Sequence, residues 1–116
     1  MEETIFQKII RKEVPADVVY EDEDVMAFYD IHPLAPVHVL IIPKKRIESI
    51  ATMEKEDIAL VGKMLYVART IASDLHIADK GYKLLTRIGR DGGQEIPHLH
   101  LHLLGGAKLV ERIYPE

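Results

Sequence analysis

The run His98-Leu99-His100-Leu101-His102-Leu103-Leu104 alternates imidazole and leucine, and that period of two belongs to an extended strand with two unlike faces. The leucines have an obvious destination in a core. Packing gives no reason to gather three histidines on the opposite face, where buried polar rings need partners. The spacing predicts a strand over residues 97–104, stopped by Gly105-Gly106, with three imidazoles in a row.

Two chemistries suit such a row. In one, an imidazole is a nucleophile while its neighbours hold its tautomer, bind an anion or pass protons near neutral pH. In the other, the rings ligate a metal such as zinc. The chain has no cysteine, which excludes a thiolate nucleophile, a thiolate metal site and a disulfide framework. The loop ahead of the row, Asp91-Gly92-Gly93-Gln94-Glu95, favours the first chemistry. Its glycines permit left-handed backbone, and the expectation is a nest of amides aimed at a phosphate.

Elsewhere the pattern predicts two helices and four more strands. Thr4 caps a short helix with Ile5, Phe6, Ile9 and Ile10 on one face, ended before Pro15. Residues 18–20 and 25–31 read as a hairpin around the acidic turn Glu21-Asp22-Glu23-Asp24, followed by a loop with two prolines at 31–36. Residues 37–42 are apolar on both faces except for His38, which predicts a central strand and a buried imidazole. A long helix is expected over 53–75, with Ile58, Val61, Leu65, Ala68, Ala72 and Leu75 at spacings of three and four. Residues 82–88 form a further strand. Strands outnumber helices without alternating with them, so the fold class is α+β: an antiparallel sheet of about five strands with one short and one long helix.

At 116 residues, 47% hydrophobic and 29% charged, the chain has room for one domain, taken as 1–116. A net charge of −4, with both signs mixed along the chain, argues against nucleic acid or an anionic membrane as partner. The acidic start Met1-Glu2-Glu3-Thr4 lacks the features of a signal peptide, and no apolar run approaches the roughly 20 residues of a membrane span. The expected location is the cytoplasm.

Taken together, these segments resemble the histidine triad superfamily, and within it the Hint branch of nucleoside phosphoramidate hydrolases. The resemblance covers Thr4-Ile5-Phe6 with Lys8-Ile9-Ile10, residues 28–31, 38–45, Gly81-Tyr82, 91–94 and 98–106. It implies a homodimer joined through the long helix and a sheet strand, a purine nucleotide substrate, and no cofactor or metal. It makes His100 the nucleophile that is transiently nucleotidylated, with His98, His102 and His38 orienting it and supporting the phosphate and leaving group. It places the nucleoside against Ile5, Phe6, Ile9, Phe28 and Ile31, with Asp30 accepting from the ribose hydroxyls, and the phosphate near Gly93, Gln94 and Glu95. Without the resemblance the apolar residues of that set read as core and Asp30 as a surface carboxylate.

Two departures stand out. The family usually has asparagine at the position of Arg87, and serine is frequent at that of Glu95. A neutral amide is thereby exchanged for a permanent cation with five donors, expected to contact the phosphate or pair with Glu95. The segment 108–116 also departs from the family, whose tail reaches the partner subunit's site and influences substrate choice. Alternative readings are a dinucleoside polyphosphate hydrolase or nucleotidyl transferase on the same fold, a nucleotide-binding protein with vestigial activity, or a histidine-ligated metal site.

Overall fold

Thr4 begins the first helix by a reciprocal cap: its hydroxyl accepts from the Gln7 amide at 3.3 Å, and the Gln7 side chain accepts from the Thr4 amide at 3.0 Å. In the computed structural model, which describes residues 2–116, this helix, α1, runs Ile5–Ile10. Six residues are too few to persist alone in water. Burial of Phe6 and Ile9 holds it in place.

The strands are β1 (Val18–Glu21), β2 (Val25–Tyr29), β3 (Val37–Pro43), β4 (Lys83–Leu85) and β5 (Leu101–Gly105), and the long helix α2 is Ile58–Asp74. The sheet is antiparallel throughout, in the order β1-β2-β3-β5-β4. Asp22 turns the β1–β2 hairpin by accepting the amides of Asp24 and Val25, both at 2.8 Å. The continuous apolar run of β3 places it at the centre, as its composition predicts.

Each face of the sheet has its own core. On one, Val25, Ala27, Val39, Ile41, Leu101 and Leu103 meet Met64, Val67, Ala68, Ile71 and Ala72 of α2. Leu103 is fully buried there, so Leu103→Ala should cost about 2–5 kcal/mol, read as a lower urea midpoint with an unchanged slope. On the other face, Met26, Phe28, Leu40 and Ile42 meet Phe6 and Ile9. Because α1 is short, it roofs only part of this face. Register sets Phe28 beside Leu40 and Leu40 beside His102, so the unroofed part carries the histidines.

Strand β2 stops at Tyr29, two residues short of expectation, and three further element boundaries also differ. The long helix starts at Ile58 because the Asp57 carboxylate is held by Lys45 at 2.6 Å and by the Glu54 amide at 2.9 Å, which tightens residues 55–57 into a 3₁₀ turn. Its buried stripe is Met64, Val67, Ala68, Ile71 and Ala72, while Ile58 and Leu65 are exposed. Strand β5 begins at Leu101 because the amides of His98 and Leu99 go to Ile96 (2.8 Å) and Ile47 (2.7 Å) instead of a ladder partner. Strand β4 ends at Leu85, and beyond it the Thr86 hydroxyl donates to the His100 carbonyl at 2.8 Å. Among the described residues no helix is long and apolar enough to cross a membrane.

Candidate active site

The unroofed face opens into a cavity of about 600 Å³, within the range of small-ligand sites. Its apolar end is built by Ile5, Phe6 and Ile9 of α1 and by Phe28, with Ile31 at the rim. Its polar end holds Asp30, His38, His100, His102, Arg87, Gly93, Gln94 and Glu95. Every residue expected at the site lines this space except His98.

The His98 ring is fully buried, and its Nε2–H donates to the Pro43 carbonyl at 2.8 Å. Its contribution to the cavity is made by backbone. The His98 carbonyl accepts from Nδ1–H of His100 at 2.7 Å, which fixes the His100 hydrogen on Nδ1 and its lone pair on Nε2. Phe6 packs edge-on against His100 with ring centroids 5.0 Å apart, and the His102 ring is also 5.0 Å away. The imidazole thus contacts two rings and is oriented by one carbonyl.

All four site histidines are held as neutral rings. Burial is the first cause in each, taking His38, His98 and His100 below their ordinary value and His102 to about 4. The Arg87 cation works in the same direction on His38, His100 and His102, while Asp30 opposes it. On acidification the unfolded chain takes up protons near 6.5, before the folded one does. This part of the stability is therefore complete above about pH 6.5 and lost as pH falls through the folded values. Melting curves between pH 7.5 and 4 should show Tm dropping steadily below pH 6.5, and a flat profile would contradict buried neutral rings.

The loop of residues 91–95 is arranged differently from the nest expected of it. The amides of Gly93 and Gln94 turn inward to the carbonyls of Arg90 and Gly89, each at 3.0 Å. The Gln94 side chain braces the loop, donating to Glu48 at 2.7 Å and Ile96 at 3.0 Å and accepting from the Gly89 amide at 3.0 Å. These groups shape the wall, and their hydrogen bonds are already made. Gly92 is needed for a different reason: a Cβ there would collide with the Ile88 backbone. Arg87 reaches His102, with 3.1 Å between Nη1 and Nε2, rather than pairing with Glu95.

The HIT domain pattern matches residues 11–109. The chain belongs to the HIT family. It is 50% identical over 108 residues to the purine nucleoside phosphoramidase of Escherichia coli K12, covering 93% of this chain and 91% of that protein. An uncharacterised HIT-like protein of Synechocystis is also 50% identical, over 90% of this chain and 91% of the relative. Among solved structures, a HIT family hydrolase from Clostridium thermocellum superposes with a TM-score of 0.92 at 44% identity, covering 98% of this chain and 99% of that one. A histidine triad protein from Clostridium difficile gives 0.91 at 38% identity, covering 97% and 100%. The protein is a HIT family hydrolase with the α+β fold its sequence predicts.

Within this HIT site, Asp30, His38 and His102 are close enough to share a metal ion. Their hydrogen bonds argue for a relay. The Leu34 amide donates to His38 Nδ1 at 3.1 Å, so the His38 hydrogen sits on Nε2, the atom a metal would need, and points at His102 Nδ1 2.9 Å away. Leu34 and Thr86 were not singled out from sequence. Leu34 acts through its backbone, which no residue type announces. Thr86 carried a faint signal, as a hydroxyl directly after Leu84 and Leu85.

Proposed function

We propose that this HIT family hydrolase cleaves purine nucleoside 5′-phosphoramidates through a nucleotidyl group carried on His100. The observation that carries the reading is the His100 tautomer: Nδ1–H is tied to the His98 carbonyl, which leaves the Nε2 lone pair as nucleophile in a ring that borders the cavity. The phosphorus–nitrogen bond of the substrate breaks as the bond to Nε2 forms, and the leaving amine takes up a proton from solvent, which the attacking water gives back in the second step. The ring becomes positively charged, and the same His98 carbonyl then stabilises that charge. Water attacks the phosphorus in the second step, returning neutral His100 and releasing the nucleoside monophosphate. The E. coli relative's name supports the substrate class.

In this reading the nucleoside lies against Ile5, Phe6, Ile9, Phe28 and Ile31, and Asp30 takes the ribose hydroxyls. The side chains at the apolar end exclude water without reading a hydrogen-bond pattern, which suits a stacked purine ring. His102 and His38 support the phosphoryl group, His98 is a positioning residue, and no metal takes part. Turnover of an adenosine 5′-phosphoramidate in the presence of a chelator tests this; the expected result is full activity. The fixed charge of Arg87 favours a second reading, hydrolysis of dinucleoside polyphosphates, whose chain carries more anionic oxygens. Faster turnover of a diadenosine polyphosphate than of the phosphoramidate would replace the first reading with the second.

The assembly we propose is a homodimer. Ile58, Leu65 and Tyr66 leave an apolar strip on the outer side of α2, and β4 is an edge strand with an unpaired side. Sedimentation should report twice the chain mass of 13.2 kDa, and a species at 13.2 kDa would contradict the dimer.

A further inference from the structure

Along the polar end of the cavity, four groups stand in a row with more hydrogens than gaps to place them in. The row runs from the Leu34 amide to His38, then to His102, then to Arg87. The Leu34 hydrogen fills the first gap, so the His38 hydrogen fills the second, on its way to His102 Nδ1. The His102 hydrogen then sits on Nε2 and faces a guanidinium that has donors only. Moving it to Nδ1 shifts the conflict to the second gap, against Nε2–H of His38. Asp30, 3.6 Å from His38 Nε2, offers no acceptor at the Arg87 end. Both rings are buried, and a donor facing a donor there is costly.

An oxygen placed between Arg87 and His102 would accept from both and remove the conflict. Charge points to an anion. Among the described residues Arg87 is the one lysine or arginine lining the cavity, and it shares the polar end with the carboxylates of Asp30 and Glu95. Without it, a phosphoryl group would meet two carboxylates and no fixed cation.

We propose that Arg87 is the residue that selects for charge on the phosphoryl group: from its contact with His102 it transfers to a non-bridging phosphoryl oxygen when a nucleotide enters, and frees Nε2–H of His102 to donate to the same group. The inference rests on the reading of the cavity as a nucleotide site. It adds a displacement and a selectivity. The nucleoside end is apolar, so the difference in affinity between a nucleoside and its monophosphate falls mainly on this residue.

The test combines calorimetric titration of AMP and adenosine into the wild-type protein, Arg87→Asn and Arg87→Lys with ¹⁵N-histidine NMR of the wild type. The expected result is an AMP-over-adenosine preference that falls about tenfold to a hundredfold in Arg87→Asn and is partly kept in Arg87→Lys. In the wild type, AMP should settle His102 as the Nε2–H tautomer, whereas adenosine should leave its ring signals as in the free protein. An unchanged preference in Arg87→Asn, or a His102 ring that responds alike to both ligands, overturns the proposal while leaving the nucleotide reading intact. Failure of the wild type to bind either ligand overturns both. The NMR comparison needs no variant, so a poorly folded Arg87→Asn does not remove the test.

Discussion

Replacing His100 by alanine should lower kcat on an adenosine 5′-phosphoramidate roughly 10⁴-fold or more, while AMP affinity stays within about tenfold of wild type. The split follows from where the ring stands. Its Nε2 is the ring nitrogen left with a lone pair once Nδ1–H is bound to the His98 carbonyl, whereas Ile5, Ile9 and Phe28 of the apolar wall and the charge of Arg87 remain after its removal, and Phe6 loses one ring contact. Losing the nucleophile removes the covalent route and leaves binding in place. Steady-state rates paired with calorimetry measure both halves. A variant that keeps a tenth of the wild-type rate would show that another group makes the bond to phosphorus.

His102→Ala should cost about 10²- to 10⁴-fold in kcat, the span of a positioned proton or hydrogen-bond donor beside a reacting group. The ring is held near 4 by burial and then by His100, Arg87 and His38, so at neutral pH it acts as a neutral N–H donor. Its Nδ1 accepts from His38, which leaves its hydrogen on Nε2, on the side of Arg87 at the polar end of the cavity. Removing it leaves His38 Nε2–H without that acceptor, a further penalty in a buried site. Single-turnover rates should fall in the nucleotidylation step, and a variant within about threefold of wild type would sink this role.

Much of this arrangement was legible in the residues, and the misses share a cause. The alternation of histidine and leucine fixed which side chains face the α2 core, since Leu99, Leu101 and Leu103 all lie there. It did not reveal that residues 98–100 leave the ladder, because the amides of His98 and Leu99 find partners at Ile96 and Ile47, and backbone pairing has no residue signature. The long helix carries apolar residues on two sides, so periodicity alone did not separate the buried Met64 stripe from exposed Ile58 and Leu65. The glycines of the loop of residues 91–95 suggested amides aimed at an anion. The fold instead closes the Gly93 and Gln94 amides on Arg90 and Gly89. Arg87 was visible as an unusual cation, but its place on His102 depends on where β4 ends and how the loop returns.

The most direct test of the account is intact mass after brief mixing with an adenosine 5′-phosphoramidate and an acid quench. The prediction is a transient gain of one adenylyl group in the wild type and no gain in His100→Ala. Turnover with no such species at any mixing time, or the same adduct in His100→Ala, would contradict it.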